Sequence, residues 1–164
     1  MGKVVSLAEL KSLRAELAAQ GKRLVLTNGC FDLLHVGHVR YLRHARALGD
    51  VLAVALNSDA SARAIKGAGR PLVPEDDRAE ILAALACVDY AFIFTEHTAE
   101  QVVAELRPDV YVKGGDYGDE PKAWPEAAIV RGYGGEVATL PFVEGKSTTA
   151  LLETALKRLR RRRA

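Results

Sequence analysis

Apolar residues along the chain recur in two alternating rhythms. From Ser6 to Gln20, Leu7, Leu10, Leu13 and Leu17 fall on roughly one side of a helix. Ser6 with Glu9 three residues later makes a capping-box pattern at its start, and Gly21 closes it. A short apolar run over about Arg23 to Thr27 reads as a buried strand, and Val39, Leu42, Ala45 and Leu48 return to helical spacing. Val51 to Leu56 is a second strand, ended by the turn residues Asn57-Ser58-Asp59. From Ala60 to Pro74 the pattern breaks, and Lys66-Gly67, Gly69-Arg70-Pro71 and Pro74 predict a loop. Glu75 to Ala86 is helical, with Ile81, Leu82 and Leu85 as its apolar side, and Tyr90 to Phe94 is a third strand. Thr98 to Leu106 is a helix with a second capping-box match, Thr98 and Gln101, stopped by Pro108. Val110-Tyr111-Val112 is a fourth strand, Glu126 to Tyr133 a helix broken by Gly134-Gly135, and Glu136 to Leu140 a fifth strand. Ser147-Thr148-Thr149 opens the last helix.

Strands alternating with helices predict an α/β chain with a parallel sheet and right-handed crossovers. In such sheets ligands bind at the carboxyl ends of the strands, where strand order reverses. A length of 164 residues suits one domain. We expect an N-terminal helix over 1–22, a catalytic core over 23–156 and a basic helix end over 157–164. The net charge of +2 is too small to imply nucleic acid. Lys157 to Arg163 reads as a solvated helix end, where the dipole favours cations. Cys30 and Cys87 make neither a disulfide framework nor a zinc spacing. The N-terminus lacks the apolar core of a signal peptide, and no apolar run reaches membrane-spanning length. The expectation is a cytoplasmic protein without membrane or nucleic-acid partners.

The chemistry-bearing residues concentrate in Thr27-Asn-Gly-Cys-Phe-Asp-Leu-Leu-His-Val-Gly-His, on the turn from the first strand into a helix. Gly29 lets the backbone turn sharply or approach a ligand. The following helix points free N–H groups and its positive dipole end into the turn, which suits an anion. His35 and His38, three apart, face one way on its first turn. Gly37 between them leaves room for a bulky ligand. Together these describe a phosphate site; a histidine pair at this spacing also suits a metal. Lys113-Gly114-Gly115-Asp116-Tyr117 ends the fourth strand and reads as a nucleoside surface or as a plain turn. Lys66 and Arg70 offer cations from the loop. Ser147, Thr148 and Thr149 sit at a helix start, which is both a cap and an anion site. Cys30 invites a thiol-nucleophile reading, Asp32 could orient a neighbour or cap the helix, and Trp124 is either a stacking surface or core.

The stretch Thr27 to His38 resembles the His-x-Gly-His signature of the nucleotidyltransferase superfamily, which includes the cytidylyltransferases and pantetheine-phosphate adenylyltransferase. Its neighbours look closest to the heptose 1-phosphate adenylyltransferase branch, and Val112 to Tyr117 and Ser147 to Thr149 extend the likeness over about Arg23 to Leu156. The resemblance implies a Rossmann-like single domain with a five-stranded parallel sheet of order 3-2-1-4-5 and helices on both faces. The reversal then falls between the first and fourth strands. It implies His35, His38 and Lys66 as catalytic residues. Thr27, Asn28, Gly29, Cys30, Phe31, Gly37, Lys113, Gly114, Asp116, Ser147, Thr148 and Thr149 would contact nucleotide, with Asp32, Arg70 and Arg78 as further substrate or phosphate contacts. Related turns carry threonine at the place of Cys30, and direct phosphoryl displacement needs no protein nucleophile.

The cytidylyltransferases often precede the Ser/Thr run with an Arg-Thr pair. Val143-Glu144-Gly145-Lys146 stands here instead, which argues against a simple cytidylyltransferase and leaves Lys146 outside the implied phosphate ligands. The implied reaction joins ATP and D-glycero-D-manno-heptose 1-phosphate into ADP-heptose and pyrophosphate. Mg²⁺ would ride mainly on the triphosphate, with no metal ligands from the protein. A separate sugar kinase would supply the substrate, and a homodimer would be in keeping with the superfamily. The rival expectations are a cytidylyltransferase for glycerol 3-phosphate or a similar alcohol phosphate, and a non-catalytic nucleotide-binding regulator.

Overall fold

Successive residues of the central strand split between two cores, as the two-residue period of a strand requires. In the computed structural model, which describes residues 2–115, 124–141, 143 and 145–161, strand β2 spans Leu24–Gly29. Leu24 and Leu26 face one apolar cluster and Val25 faces the other. The first cluster is closed by helices α1 (Leu7–Ala19), α5 (Glu100–Leu106) and α6 (Pro125–Gly132). The second is closed by α2 (Val36–Arg46) and α4 (Glu75–Ala83). The sheet is therefore covered on both faces, which is why its strands read as continuous apolar runs.

The remaining strands are β1 (Lys3–Val4), β3 (Val51–Asn57), β4 (Tyr90–Phe94), β5 (Val110–Gly114) and β6 (Glu136–Leu140). All pairings are parallel, in the order β1-β4-β3-β2-β5-β6. The sheet thus has six strands, not the five expected. The five anticipated strands keep their relative order, and the two-residue β1 adds an edge beside β4. Two residues carry no periodicity, so no pattern marked it. β2 pairs with β3 on one side and β5 on the other, which puts the reversal between the ends of β2 and β5.

Two further expectations are corrected. The segment after β3 is not all loop: α3 covers Asp59–Lys66. Ser58 caps it by accepting the Ser61 N–H at 3.2 Å. Its buried residues are the small Ser61 and Ala62, so no large apolar residue marks its inner side. Ser61 packs by hydrogen bonds instead, accepting from Asn57 Nδ2 at 2.9 Å and donating to the Glu96 carbonyl at 2.8 Å. The Ser6–Glu9 capping box is present. The Thr98–Gln101 box is not: Thr98 Oγ1 donates to Glu100 at 2.7 Å, and the Ala99 N–H goes to Glu126 of α6 at 3.1 Å.

Helix α7 (Thr148–Arg161) follows β6 and buries none of its residues. Among the described residues no helix is long and apolar enough to cross a membrane.

Candidate active site

Between β2 and α2 the chain turns through Phe31 at φ +44°, a sparsely populated conformation for a bulky residue. The Phe31 ring is buried against His38, with centroids 5.3 Å apart. Gly29 makes room for that ring, since a Cβ there would lie 3.0 Å from Phe31 Cε2.

His35 is the N-cap of α2, and its Nδ1 accepts the Gly37 N–H at 3.1 Å. An accepting nitrogen carries no proton, so the neutral ring holds its proton on Nε2. The His38 ring stacks on that of His35 at 3.9 Å and 26°. Gly37 permits this arrangement: a Cβ there would lie 2.8 Å from His35 Cε1 and Nδ1, and 3.3 Å from Lys146 Cβ. The glycine first serves the His35 cap, not only a ligand. Burial, and then the charge of His35, pushes His38 down to about 4. Burial, and then the Lys146 ammonium, lowers His35. Both imidazoles are therefore neutral hydrogen-bonding groups at pH 7. His38 Nδ1 is buried without a partner among the described residues.

A cavity of about 700 Å³ opens beside this pair. Asn28, Gly29, Cys30, Phe31 and Asp32 line it from the end of β2, and His35, Gly37 and His38 from α2. Lys66 and Arg70 reach it from the end of α3 and the segment beyond, Lys113 and Gly114 from β5, and Ser147, Thr148 and Thr149 from the start of α7. Asp116 lies outside the described residues. The cavity also draws in Tyr41 and Ala150, which sequence reasoning missed, and Val143, Gly145 and Lys146, a stretch it left outside the phosphate ligands. Tyr41 was within reach of that reasoning, being three residues past His38 on the same helix face.

Two anticipated contacts are absent from the cavity lining. Thr27 is fully buried, with its hydroxyl 2.6 Å from that of Tyr41, which in turn donates to the Val112 carbonyl at 3.1 Å. Arg78 is buried too, and its guanidinium is fully engaged. It donates to Val73 O at 2.9 Å, Asn57 O at 3.0 Å, Asp59 Oδ1 at 2.6 Å and the Cys30 carbonyl. A buried charge must be paired and hydrogen-bonded in this way. Arg78 thus holds the ends of β2 and β3 in place instead of facing phosphate.

The four cations among the described lining residues divide into two kinds. Arg70 pairs with Asp32 at 2.6 Å, and Asp32 also accepts the N–H groups of Leu72 at 2.7 Å and Val73 at 3.1 Å. Asp32 is thereby spent pinning this segment to the turn. Lys113 pairs with Glu126 at 3.4 Å. Lys66 and Lys146 have no ion-pair partner among the described residues, so their charge remains available to a ligand. The start of α7 is tied to the histidine turn by Thr148, whose hydroxyl donates to the Leu33 carbonyl at 3.2 Å. Ser147 caps that helix by accepting the Ala150 N–H at 3.1 Å.

Cys30 lines the cavity with its thiol 3.8 Å from Asn57 Oδ1, and burial pushes that thiol up. A protonated thiol is a poor nucleophile. Trp124 is core, 4% exposed, beneath the Lys113 ammonium. Among the described residues no group of three or more His, Cys, Asp or Glu is placed to hold a metal ion.

The arrangement suits a phosphorylated ligand, with helix N-termini, neutral imidazoles and unpaired lysines converging at a strand-order reversal. Residues 26–153 match the family model described as cytidylyltransferase-like. The chain belongs to this family. It is therefore a nucleotidyltransferase, and the histidine turn, the β5 end and the start of α7 all lie within the matched span. Among curated relatives it is 55% identical to the bifunctional protein HldE of Pelobacter propionicus over 140 residues, 85% of this chain and 28% of that protein. It is 52% identical to the HldE of Geobacter sulfurreducens over 94% of this chain and 31% of that protein. The chain thus spans less than a third of the length of these relatives. The fold is similar to the lipopolysaccharide core biosynthesis protein from Thermoplasma volcanium GSS1, with TM-score 0.60 and 29% identity over 75% of this chain and 98% of that one. It is also similar to pantoate-beta-alanine ligase from Francisella tularensis, with TM-score 0.61 over 86% of this chain and 67% of that one; at 16% identity this is a likeness of fold alone.

Proposed function

We propose that this nucleotidyltransferase transfers AMP from ATP to D-glycero-D-manno-heptose 1-phosphate, giving ADP-heptose and pyrophosphate. The observation that carries the transfer chemistry is the neutral His35–His38 stack facing the same cavity as the unpaired Lys66 and Lys146. The choice of substrates is supported by the heptose-branch likeness of Thr27 to His38, the relatives named HldE, and the lipopolysaccharide-related structural neighbour.

In this reading an oxygen of the sugar phosphate attacks the α-phosphorus in line. The bond from that phosphorus to the bridging oxygen breaks, and pyrophosphate leaves with the electron pair. The protein's task is positioning and charge neutralisation. His35 offers Nε2–H, held in that tautomer by the Gly37 bond. His38 adds a second neutral imidazole, and Lys66 and Lys146 offset charge gathering on the leaving group. Mg²⁺ would neutralise triphosphate charge from phosphate oxygens. Asp32, the carboxylate among the described lining residues, is already engaged, so the site fits an ion carried by the nucleotide better than one caged by protein. A sugar kinase would have to supply the acceptor.

The test is pyrophosphate release across nucleoside triphosphates and phosphorylated acceptors. ATP with heptose 1-phosphate is expected to turn over best. Preference for CTP with glycerol 3-phosphate would replace this reading with the cytidylyltransferase one, and nucleotide binding without turnover on any acceptor would point to a regulator.

A further inference from the structure

We propose that Glu126 is a positioning residue that holds Lys113 as a directed hydrogen-bond donor to the nucleoside part of the nucleotide. The inference rests on the reading above in taking the ligand to be a nucleotide.

Glu126 is 2% exposed, on the first turn of α6. Its Oε1 accepts from the Ala99 N–H at 3.1 Å and from Lys113 Nζ at 3.4 Å. Its Oε2 is buried without a hydrogen-bond partner among the described residues. The Ala99 bond ties α6 to the start of α5 but needs only a neutral acceptor, so it does not account for a buried carboxylate. A buried ion pair is often no better than an apolar replacement, and an unsatisfied carboxylate oxygen worsens the comparison. What the carboxylate achieves is placement. Lys113 sits at the end of β5, beside the strand-order reversal, with its ammonium 5.8 Å from the Trp124 ring centroid. A lysine side chain has several rotatable bonds and is otherwise free to wander. Here the carboxylate and the indole face fix its end at the cavity.

The pairing also sets what Lys113 can do. The Lys113–Glu126 pair is neutral as a unit, so it contributes little net charge toward phosphate. Its remaining N–H bonds are directional donors, suited to a ribose hydroxyl or a base acceptor. Phosphate charge falls to Lys66 and Lys146, the unpaired cations of the same cavity.

The test uses Trp124, the chain's one tryptophan, whose emission reports directly on this corner. Binding of ATP and of inorganic tripolyphosphate is titrated with the full chain, Glu126→Gln, Lys113→Met and the double variant, with thermal melts beside each. Glu126→Gln should weaken ATP about tenfold, the scale of one charged hydrogen bond. It should leave tripolyphosphate affinity undiminished. Lys113→Met should weaken ATP to a similar extent, and the double variant should lose no more than either single one. Additive losses, or equal weakening of ATP and tripolyphosphate, overturn the inference even if the melts shift. Failure of the unaltered protein to bind any nucleoside triphosphate brings down the proposed function and this inference with it. Binding without the Glu126–Lys113 coupling brings down this inference alone.

Discussion

The imidazole rings of His35 and His38 lie 3.9 Å apart, nearly parallel, at the first turn of α2. Two cations at that distance would repel strongly, and burial disfavours each charge separately. The pair is therefore a neutral donor array, preorganised by the Gly37 bond on one side and the Phe31 ring on the other. Donors of this kind act on charge that develops during the reaction. His38→Ala is expected to cut kcat about 10²–10³-fold. ATP affinity should change far less, because an interaction realised in the transition state does not show as ground-state binding. Single-turnover kinetics beside an independent ATP titration decide it. Loss confined to ATP affinity would remove the catalytic role.

The same burial makes stability depend on pH. His38 takes up a proton near 6.5 when exposed, but only at about 4 in the folded chain. Between those values the unfolded chain binds more protons, so stability falls as pH drops through this window and levels off below it. Above about 6.5 the contribution is complete. His38→Asn should flatten this part of the profile in urea melts taken from pH 7 to pH 4. An unchanged slope would show that His38 is not held neutral.

Lys146 stands next to the cap of α7 and lines the same cavity as the histidines. Burial first, and then the charge of Lys146, lower His35. Lys146→Met is expected to reduce kcat by roughly 10–100-fold, the range for losing a charged hydrogen bond. It should also let the His35 proton affinity rise, readable by NMR titration of the imidazole. A kcat within a factor of about two of the parent would leave Lys146 as a solvated side chain.

Arg78 makes the opposite prediction. Its guanidinium bonds Asp59 and three backbone carbonyls and does not line the cavity. Arg78→Met should cost roughly 3–5 kcal/mol of folding stability, because it strands a partly buried carboxylate and several acceptors. Denaturant titration reads this directly. A stable Arg78→Met protein with poor ATP affinity would return Arg78 to the binding site.

Much of this architecture is local and therefore legible. The inner strands β2 to β5 declared themselves as apolar runs, because both sheet faces are covered there, while the edge strand β6 keeps Glu136 and Thr139 exposed. The Ser6–Glu9 box closes within four residues, and the Thr27 to His38 stretch carries its glycines and histidines in one turn. What the tertiary structure decided is which polar groups find each other across the chain. α3 escaped notice because its inner side packs through Ser61, bonded to Asn57 and the Glu96 carbonyl, and not through large apolar side chains. The Thr98–Gln101 box did not form, because the N-cap falls one residue later, at Ala99, whose N–H is taken by Glu126, 27 residues away. Arg78 and Lys66 look alike as letters. The first is spent inside the protein and the second keeps its charge for the cavity, because a cation's role is set by whether a carboxylate or carbonyl reaches it first. That is a property of three-dimensional distance, and no spacing along the chain encodes it.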